Sequence, residues 1–314
     1  MNPHLLCIGG SDHHLRLPFL KALRDRGFQV SAAGTGAAAP FETAGVDYYP
    51  LLSAARQPLS DWKALRTVSK LVADLRPGLV PCFDTKPDLM VPLAAWANPD
   101  VRVVSTINGI GLLYSLRSPV ALALRPVYET LQRLAAQKTA VTVFQNRDDE
   151  AFFLKKRLLG RSAHLIIPGS GVAVDQFDKA VAAGPPAHRA ATIAGLEGCE
   201  VVKTVTRMTR QKGIPTLLKA AALVHRQRPG VRFLLIRPRE DEGPFAVTQA
   251  EIDRHAPYVQ ALGRHSDVHR CLASPTCLRF RPNTRRAFRV CSSKRPLPAG
   301  RCDDAEAGLH RCHS

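Results

Sequence analysis

The chain has 314 residues, of which 45% are hydrophobic and 6% aromatic, so it can bury the cores of two ordinary domains built mainly from Leu, Val and Ala. Its net charge of +18 favours anionic partners such as nucleotide phosphates or acidic lipid headgroups. No basic stripe carries interleaved aromatic residues, so nucleic acid is not expected as a partner. The sequence shows neither a secretory leader nor the ~18 apolar residues of a membrane span, and its scattered Cys7, Cys82 and Cys199 predict buried free thiols, which together predict a cytoplasmic protein.

The first part of the chain alternates strand-like apolar runs with amphipathic helical stretches. A strand over 5–8 leads through Gly9 and Gly10 into a helix over 17–27, and a second strand follows over 28–33. This β–glycine turn–α–β unit is typical of a doubly wound parallel sheet. Further strands are predicted over 46–51, 78–83, 101–107, 140–144 and 165–167, with helices over 61–75 (capped by Ser60), 88–97 and 119–138. We therefore expect one Rossmann-like domain over 1–180.

A second series of the same kind follows a segment over 181–198 that is rich in Ala, Gly and Pro and predicts a linker. Strands are predicted over 199–206, 231–236 and 259–262, with helices over 214–227 and 247–255. About half of a Rossmann unit is therefore expected over 199–270. The predicted fold class is α/β, with two facing Rossmann-like domains of which the second is incomplete.

The tail over 271–314 differs from the rest of the chain. It holds five of the eight cysteines, has nine Arg or Lys against three acids, and lacks a long apolar run. Because such a segment cannot offset its ordering entropy by burying an apolar face, we expect it to be disordered or poorly packed. Its cysteines and histidines lack a regular ligand spacing, so no metal site is expected.

The strongest local motif runs from Arg207 to Gly213, directly after the first strand of the second series. A strand end that leads into a helix start is where phosphates bind in such sheets. Arg207 and Lys212, five residues apart, with Gly213 freeing the backbone, could clamp a diphosphate. The alternative is that both are solvated loop cations.

This segment resembles the R-x-x-x-x-K-G element of family 4 glycosyltransferases with the GT-B fold, in the bacterial branch that extends lipid-linked oligosaccharides for surface polysaccharides. Further matches follow in order over about 4–270: Thr85-Lys86-Pro87, Thr106-Ile107-Asn108-Gly109-Ile110-Gly111, Phe144-Gln145-Asn146-Arg147-Asp148-Asp149, and Gly169-Ser170-Gly171-Val172. The ordered set is far more specific than any single motif.

The resemblance implies a role for each matching residue. It implies that Arg207, Lys212 and Gly213 bind the diphosphate of a nucleotide-sugar donor. It places Gly9, Gly10, Arg16 and Lys86 near the diphosphate of the acceptor, although these could equally be turn glycines and surface cations. Many relatives carry His where this chain has Asn108, and that residue helps to position the donor sugar; the alternative for Asn108-Gly109 is a tight turn.

The activity that the resemblance implies is retaining transfer of a hexosyl or N-acetylhexosaminyl group from a UDP-sugar to a polyprenyl-diphosphate-linked saccharide, without a cofactor. The protein is expected in the cytoplasm, at the inner face of the plasma membrane and in peripheral contact with anionic lipid. Residues 112–117 could touch the membrane or simply begin a buried helix. The alternatives are a GT-B sugar-nucleotide epimerase, for which no acid–base set can be placed, and a catalytically dead remnant.

One departure from the family lies beyond residue 270. Relatives continue there with an E-x7-E motif, whose first acid meets the donor sugar and whose second meets the ribose. The tail lacks this motif, but back-translating it with suitable synonymous codons and reading one base over between the codons of Pro275 and Arg295 gives a string that contains the motif at its proper spacing. We therefore hypothesise a frameshift or truncation after about residue 270, which would leave the donor site without its ribose contact.

Overall fold

The structure, a computed structural model, describes residues 3–10, 12–51, 58–116, 118–169, 178, 179, 182, 196, 199–236 and 245–263. These residues fall into two compact units, the first of which ends before residue 172. The tail over 271–314 lies outside the described residues, and so does nearly all of the segment over 181–198. The linker and the tail therefore stay predictions.

The first unit is built on a seven-stranded sheet with the strand order β3-β2-β1-β4-β5-β6-β7, in which every pair is parallel. Its strands are His4–Gly9 (β1), Gln29–Gly34 (β2), Asp47–Pro50 (β3), Leu79–Phe83 (β4), Arg102–Ile107 (β5), Thr139–Phe144 (β6) and Ala163–Ile166 (β7). This order confirms the doubly wound, Rossmann-like sheet that the sequence predicts.

Among the described residues, these strands are connected by the α-helices Leu17–Asp25 (α1), Ala39–Thr43 (α2), Pro58–Leu75 (α3), Thr85–Ala94 (α4), Gly111–Ser115 (α5), Pro119–Lys138 (α6) and Arg147–Lys155 (α7). Helix α6 has the predicted bounds. Helix α3 begins at Pro58, so Ser60 lies inside the helix and its assignment as a cap is wrong. Helix α4 begins three residues earlier than predicted, because Pro87 is tolerated in a first turn, where its missing N–H would have no helical partner.

Strand β1 is buried on both faces, as expected for the centre of a parallel sheet. Leu6 and Ile8 pack with the side chains of α3 and α4, whereas Leu5 and Cys7 pack in a separate core with Leu20 of α1. The carboxyl end of β1 is therefore held from both sides, and it positions the turn that follows.

The second unit holds a three-stranded parallel sheet with the order β10-β9-β8. Its elements are Glu200–Val205 (β8), Ile214–Gln227 (α8), Val231–Ile236 (β9), Gln249–Asp253 (α9) and Val259–Ala261 (β10). Leu217 and Leu218 of α8 pack on Val202 and Phe233 of the sheet. A second βα series, which the sequence predicts, is confirmed among these residues.

Candidate functional site

The first candidate site lies where the strand order of the first unit reverses. Strand β1 has β2 on one side and β4 on the other, so the chain winds outward from this point in both directions. In sheets of this kind, ligands bind outside the carboxyl ends of the strands at such a switch point. The residues that follow β1, β4 and β5 are Gly10, Asp84 and Asn108.

A single carboxylate joins these three strand ends. Asp84 Oδ2 accepts a hydrogen bond from the backbone N–H of Gly10 at 3.2 Å, and Asp84 Oδ1 accepts one from Asn108 Nδ2 at 2.8 Å. The backbone of Asp84 has φ +79°, a conformation that favours glycine. The structure therefore brings Gly10 and Asn108, two of the residues singled out in the sequence, together through a residue that sequence reasoning missed.

A buried imidazole fills the space beneath the turn after β1. His13 has no exposed surface and stacks on Phe41, with ring centroids 5.4 Å apart. A Cβ added to Gly9 would lie 2.6 Å from Cγ of His13, so only glycine fits at this end of β1. Burial, assisted by the nearby positive charge of Arg16, lowers the pKa of His13 to about 4, and the imidazole is neutral near pH 7.

Arg16 supplies a positive charge near the carboxyl groups of Asp84 and Asp88. Its guanidinium lies 3.9 Å from the centroid of the Phe83 ring, at the end of β4. Burial lowers the pKa of Arg16, while Asp84 and Asp88 oppose that shift. The guanidinium is therefore held at the switch point by an aromatic face as well as by charge.

Asp88 is a second buried carboxyl at this end of the sheet. It is 1% exposed, and its Oδ1 accepts a hydrogen bond from the backbone N–H of Thr106 in β5 at 3.1 Å. Burial raises its pKa well above the usual range, although the Thr106 N–H acts in the opposite direction. Lys86 lies two residues before Asp88, and its side chain is exposed in the first turn of α4.

The segment after Asn108 forms a helix start. Gly111–Ser115 is helical, and the side chains of Leu113 and Tyr114 are half-buried. The Tyr114 hydroxyl donates to Glu129 at 2.9 Å, and the Arg125 guanidinium donates to the carbonyl of Leu116 at 2.9 Å. The predicted helix start is confirmed, and Arg117 lies outside the described residues.

The second candidate site is the loop between β8 and α8. Arg207 is exposed and Lys212 is half-buried, while Met208 between them is fully buried and anchors the loop in the core. Gly213 has φ +76° and directly precedes the first residue of α8. The structure therefore places both cations, as predicted, on an anchored loop at the positive end of a helix.

Polar side chains surround the base of this loop. Thr206 and Thr209 are buried, and within the part of the chain that the structure describes their hydroxyl oxygens have no hydrogen-bond partner, nor does Gln211 Nε2. Arg210 forms an ion pair with Glu251 of α9 at 2.6 Å. Sequence reasoning singled out the two cations here but not these polar groups, for which the sequence carries no signal beyond their place after a strand.

The described ranges hold neither a cluster of possible metal ligands nor a membrane-spanning helix. Among these residues no group of three or more His, Cys, Asp or Glu could hold a metal ion. None of the described helices is long and apolar enough to cross a membrane.

Residues 16–169 match the model of the glycosyl transferase 4-like domain family. This match spans the part of the first unit from the end of the loop after β1 to the end of β7. Among curated proteins, no sequence match was found.

Solved structures share the fold over most of the chain. HepE of Anabaena in complex with UDP and glucose is 16% identical, with a TM-score of 0.61, and the match covers 88% of this chain and 73% of that chain. The α,α-trehalose 6-phosphate synthase of Burkholderia multivorans is 14% identical, with a TM-score of 0.64 and coverages of 87% and 76%. A protein assigned as a UDP-N-acetylglucosamine 2-epimerase from Listeria monocytogenes is 15% identical, with a TM-score of 0.58 and coverages of 87% and 72%.

The two parallel sheets described above and the solved structures indicate the same fold. The chain has the GT-B fold, and its residues 16–169, about half of the chain, are similar to the glycosyl transferase 4-like domain.

Proposed function

We propose that the chain is a retaining glycosyltransferase that moves a hexosyl or N-acetylhexosaminyl group from a UDP-sugar to a polyprenyl-diphosphate-linked saccharide. The observation that carries this proposal is the anchored loop with Arg207 and Lys212 between β8 and α8. A diphosphate needs charge-assisted hydrogen bonds from cations and a positive helix end, and this loop supplies both. The match of residues 16–169 supports the same class of reaction.

The first unit contributes the sugar and acceptor contacts in this proposal. Asn108, fixed by its hydrogen bond to Asp84, positions the donor sugar. Arg16 and Lys86 bind the acceptor's diphosphate. Gly9 and Gly10 keep the turn after β1 free of side chains, so that the acceptor can approach the backbone closely.

We place the reaction in surface polysaccharide synthesis at the inner face of the plasma membrane. The net charge of +18 supports peripheral contact with anionic lipid. Leu113 and Tyr114 of α5 are half-buried, so these two side chains contribute little to that contact.

The proposal is tested first by titrating UDP into the full-length chain and into two variants, Arg207→Ala and Lys212→Ala. Loss of one charge-assisted contact is expected to weaken UDP binding roughly tenfold in each variant. Lys219→Ala, on the exposed side of α8, is the matched control and should bind UDP as the native chain does. The proposal fails if the native chain binds no UDP or if all three variants bind it equally.

Transfer itself is measured with a radiolabelled UDP-sugar and a polyprenyl-diphosphate-linked N-acetylglucosamine. Radiolabel in the lipid fraction, with retained anomeric configuration, would support transfer, whereas its absence would support the alternative of a catalytically dead remnant. A cooperative unfolding transition in the same preparation separates an inactive, folded protein from a remnant that does not fold.

The epimerase is the second candidate function, and the shared fold of the Listeria monocytogenes protein is the observation that favours it. Epimerisation needs an acid–base pair at the sugar, and the buried, neutral His13 offers no exposed base. Incubation with a UDP-sugar and no acceptor distinguishes the two, because only an epimerase produces a second UDP-sugar under those conditions.

A further inference from the structure

The backbone conformation at the switch point does not explain why residue 84 is an aspartate. Its φ of +79° is a conformation that a non-glycine residue adopts only when its surroundings hold it there. Glycine would adopt the same backbone without strain. The carboxylate, not the main chain, is therefore the reason for an aspartate at this position.

The Asp84 carboxylate accepts the hydrogen bond of the Gly10 backbone N–H, which is the donor that a bound phosphate would otherwise use. In many sheets of this type, the N–H groups of the turn after the first strand bind phosphate. Here the N–H of Gly10 donates to Asp84 Oδ2 at 3.2 Å, and a Cβ on Gly10 would lie 3.1 Å from the same oxygen. A phosphate oxygen at this turn would meet a negative charge and a donor that is already engaged.

The same carboxylate keeps part of its capacity to accept hydrogen bonds. An ionised carboxyl group has about four acceptor positions, and Gly10 and Asn108 account for two donors. Asp84 is only half-buried, so ligand can approach it. Because a carboxylate can accept but not donate, a neutral ligand that reaches it must present a hydroxyl or an N–H group.

We infer that Asp84 is a specificity-determining and positioning residue, which makes the switch point of the first unit bind a sugar hydroxyl rather than a phosphate oxygen and holds Asn108 beside that hydroxyl. This inference rests on the proposed function and adds to it the chemical class of group bound at the end of β4. The hydroxyl belongs either to the donor sugar or to the acceptor saccharide. The acceptor's diphosphate then meets Arg16 and Lys86 but not the N–H of Gly10, which departs from the role that the resemblance implies for Gly10.

The test compares Asp84→Asn and Asp84→Gly with the native chain. Gly10 and Asn108 donate to different oxygens of Asp84, and an asparagine replaces one of those oxygens by an NH2 group that donates, so in this geometry it accepts from only one of them. Glycine removes the carboxylate and relieves the backbone. Arg157→Gly is the matched control, because Arg157 also has a positive φ, at +54°, and is exposed on the connection after α7. Calorimetric titration of the full-length protein with four probes gives the readout: UDP, UDP-glucose, UDP-N-acetylglucosamine, and octyl N-acetylglucosaminide in the presence of UDP.

The expected result is a selective loss of sugar affinity. Both Asp84 variants should bind UDP within twofold of the native chain, while the additional affinity given by the sugar falls about tenfold. If the loss is in the UDP-sugars, the hydroxyl belongs to the donor; if it is in the octyl glycoside, it belongs to the acceptor. Inorganic pyrophosphate should bind more tightly to Asp84→Gly than to the native chain. The thermal midpoint of Asp84→Gly should equal or exceed the native value, as that of Arg157→Gly should.

Four results would overturn the inference. Unchanged sugar affinity in both variants would show that the carboxylate does not meet the ligand. A marked fall in the thermal midpoint of Asp84→Gly alone would show that the bridge only stabilises the fold. A native chain that binds UDP but gains nothing from any sugar would overturn the inference and leave the nucleotide part of the proposed function intact, whereas a native chain that binds no UDP would remove both.

Discussion

The two candidate sites present their ligand groups in opposite ways. At the switch point of the first unit, a strained Asp84, a neutral buried His13 and a half-buried Asn108 are held by one another and by the ends of three strands. In the loop before α8, Arg207 is exposed beside Met208, which anchors the segment in the core. Changes that overfill the first site should therefore lower stability, whereas changes to the cations of the second site should lower ligand affinity without lowering stability.

The largest effect is expected when a side chain is added in the first site, where the packing is tight. Gly9→Ala would place a Cβ 2.6 Å from Cγ of the buried His13, so the ring or the strand must move. We expect a loss of about 3 kcal/mol in the free energy of unfolding, measured by urea denaturation. Gly230→Ala is the control, because a Cβ there would have no heavy atom within 4 Å. Equal stability of the two variants would show that the first site is loosely packed.

Thiol labelling compares the two units without mutation. Cys7 and Cys82 are buried in the first unit, and burial raises the pKa of Cys7 to about 12 and that of Cys82 well above its usual value. Cys199, in the second unit, is only half-buried. N-ethylmaleimide should label Cys199 about a hundredfold faster than the other two, as followed by peptide mass spectrometry. Equal rates in the native state would contradict the packing of β1 and β4, and equal rates in urea are the control.

The pH dependence of stability tests the buried imidazole. His13 takes up a proton near pH 6.5 in the unfolded chain but only near pH 4 in the folded one, so the unfolded chain binds more protons between these values. Stability should therefore fall by about 2 kcal/mol as the pH is lowered from 6.5 to 4.

The matched variant for this prediction is His13→Phe, which keeps a ring between Phe41 and Phe83. Asp88, whose pKa is raised by burial, contributes with the opposite sign in the same range, because the folded chain then binds more protons. The difference between the native chain and His13→Phe isolates the imidazole. A pH profile that the substitution leaves unchanged would show that His13 is not buried as a neutral group.

The smallest effect is expected at the edge of the second site. Arg210 and Glu251 form an ion pair on an exposed surface, and such pairs add little to stability. Arg210→Ala should leave the urea midpoint unchanged within error and should bind UDP as the native chain does. A clear loss of stability would show that the loop before α8 is held by charge and not by Met208.

The sequence was sufficient for the elements whose signals are local. The bounds of α6 and α8 agree with the apolar periodicity, and the glycine turn after β1 lies where predicted. The predicted start of α3 was wrong, because Ser60 is a favourable N-cap residue and was taken as the cap, whereas the helix already begins at Pro58. Local capping preference cannot show whether packing continues a helix past a good cap.

The candidate site was predictable only in part, because sequence signals are local and the site joins residues that are distant in the chain. Gly10 and Asn108 could be named from their place after strands, but the carboxylate that joins them could not, because Asp84 is distant from both in sequence. Its position after β4 was the available signal, since residues after the strands of a doubly wound sheet meet at one edge. Nothing local indicates the positive φ of an aspartate or the burial of His13 beneath Gly9.

The strand order also has a consequence for how the chain folds during synthesis. Strand β1 pairs with β2 about 25 residues later, through His4 and Gln29, but its other edge must wait for β4, where Leu5 pairs with Leu79. At roughly 5–20 residues per second, β4 is made some 4 to 15 seconds after β1. During that interval the inner edge of β1 is an open edge that another chain could pair with. The residues that meet at the switch point are therefore also the ones for which a delay in translation carries the greatest risk of aggregation.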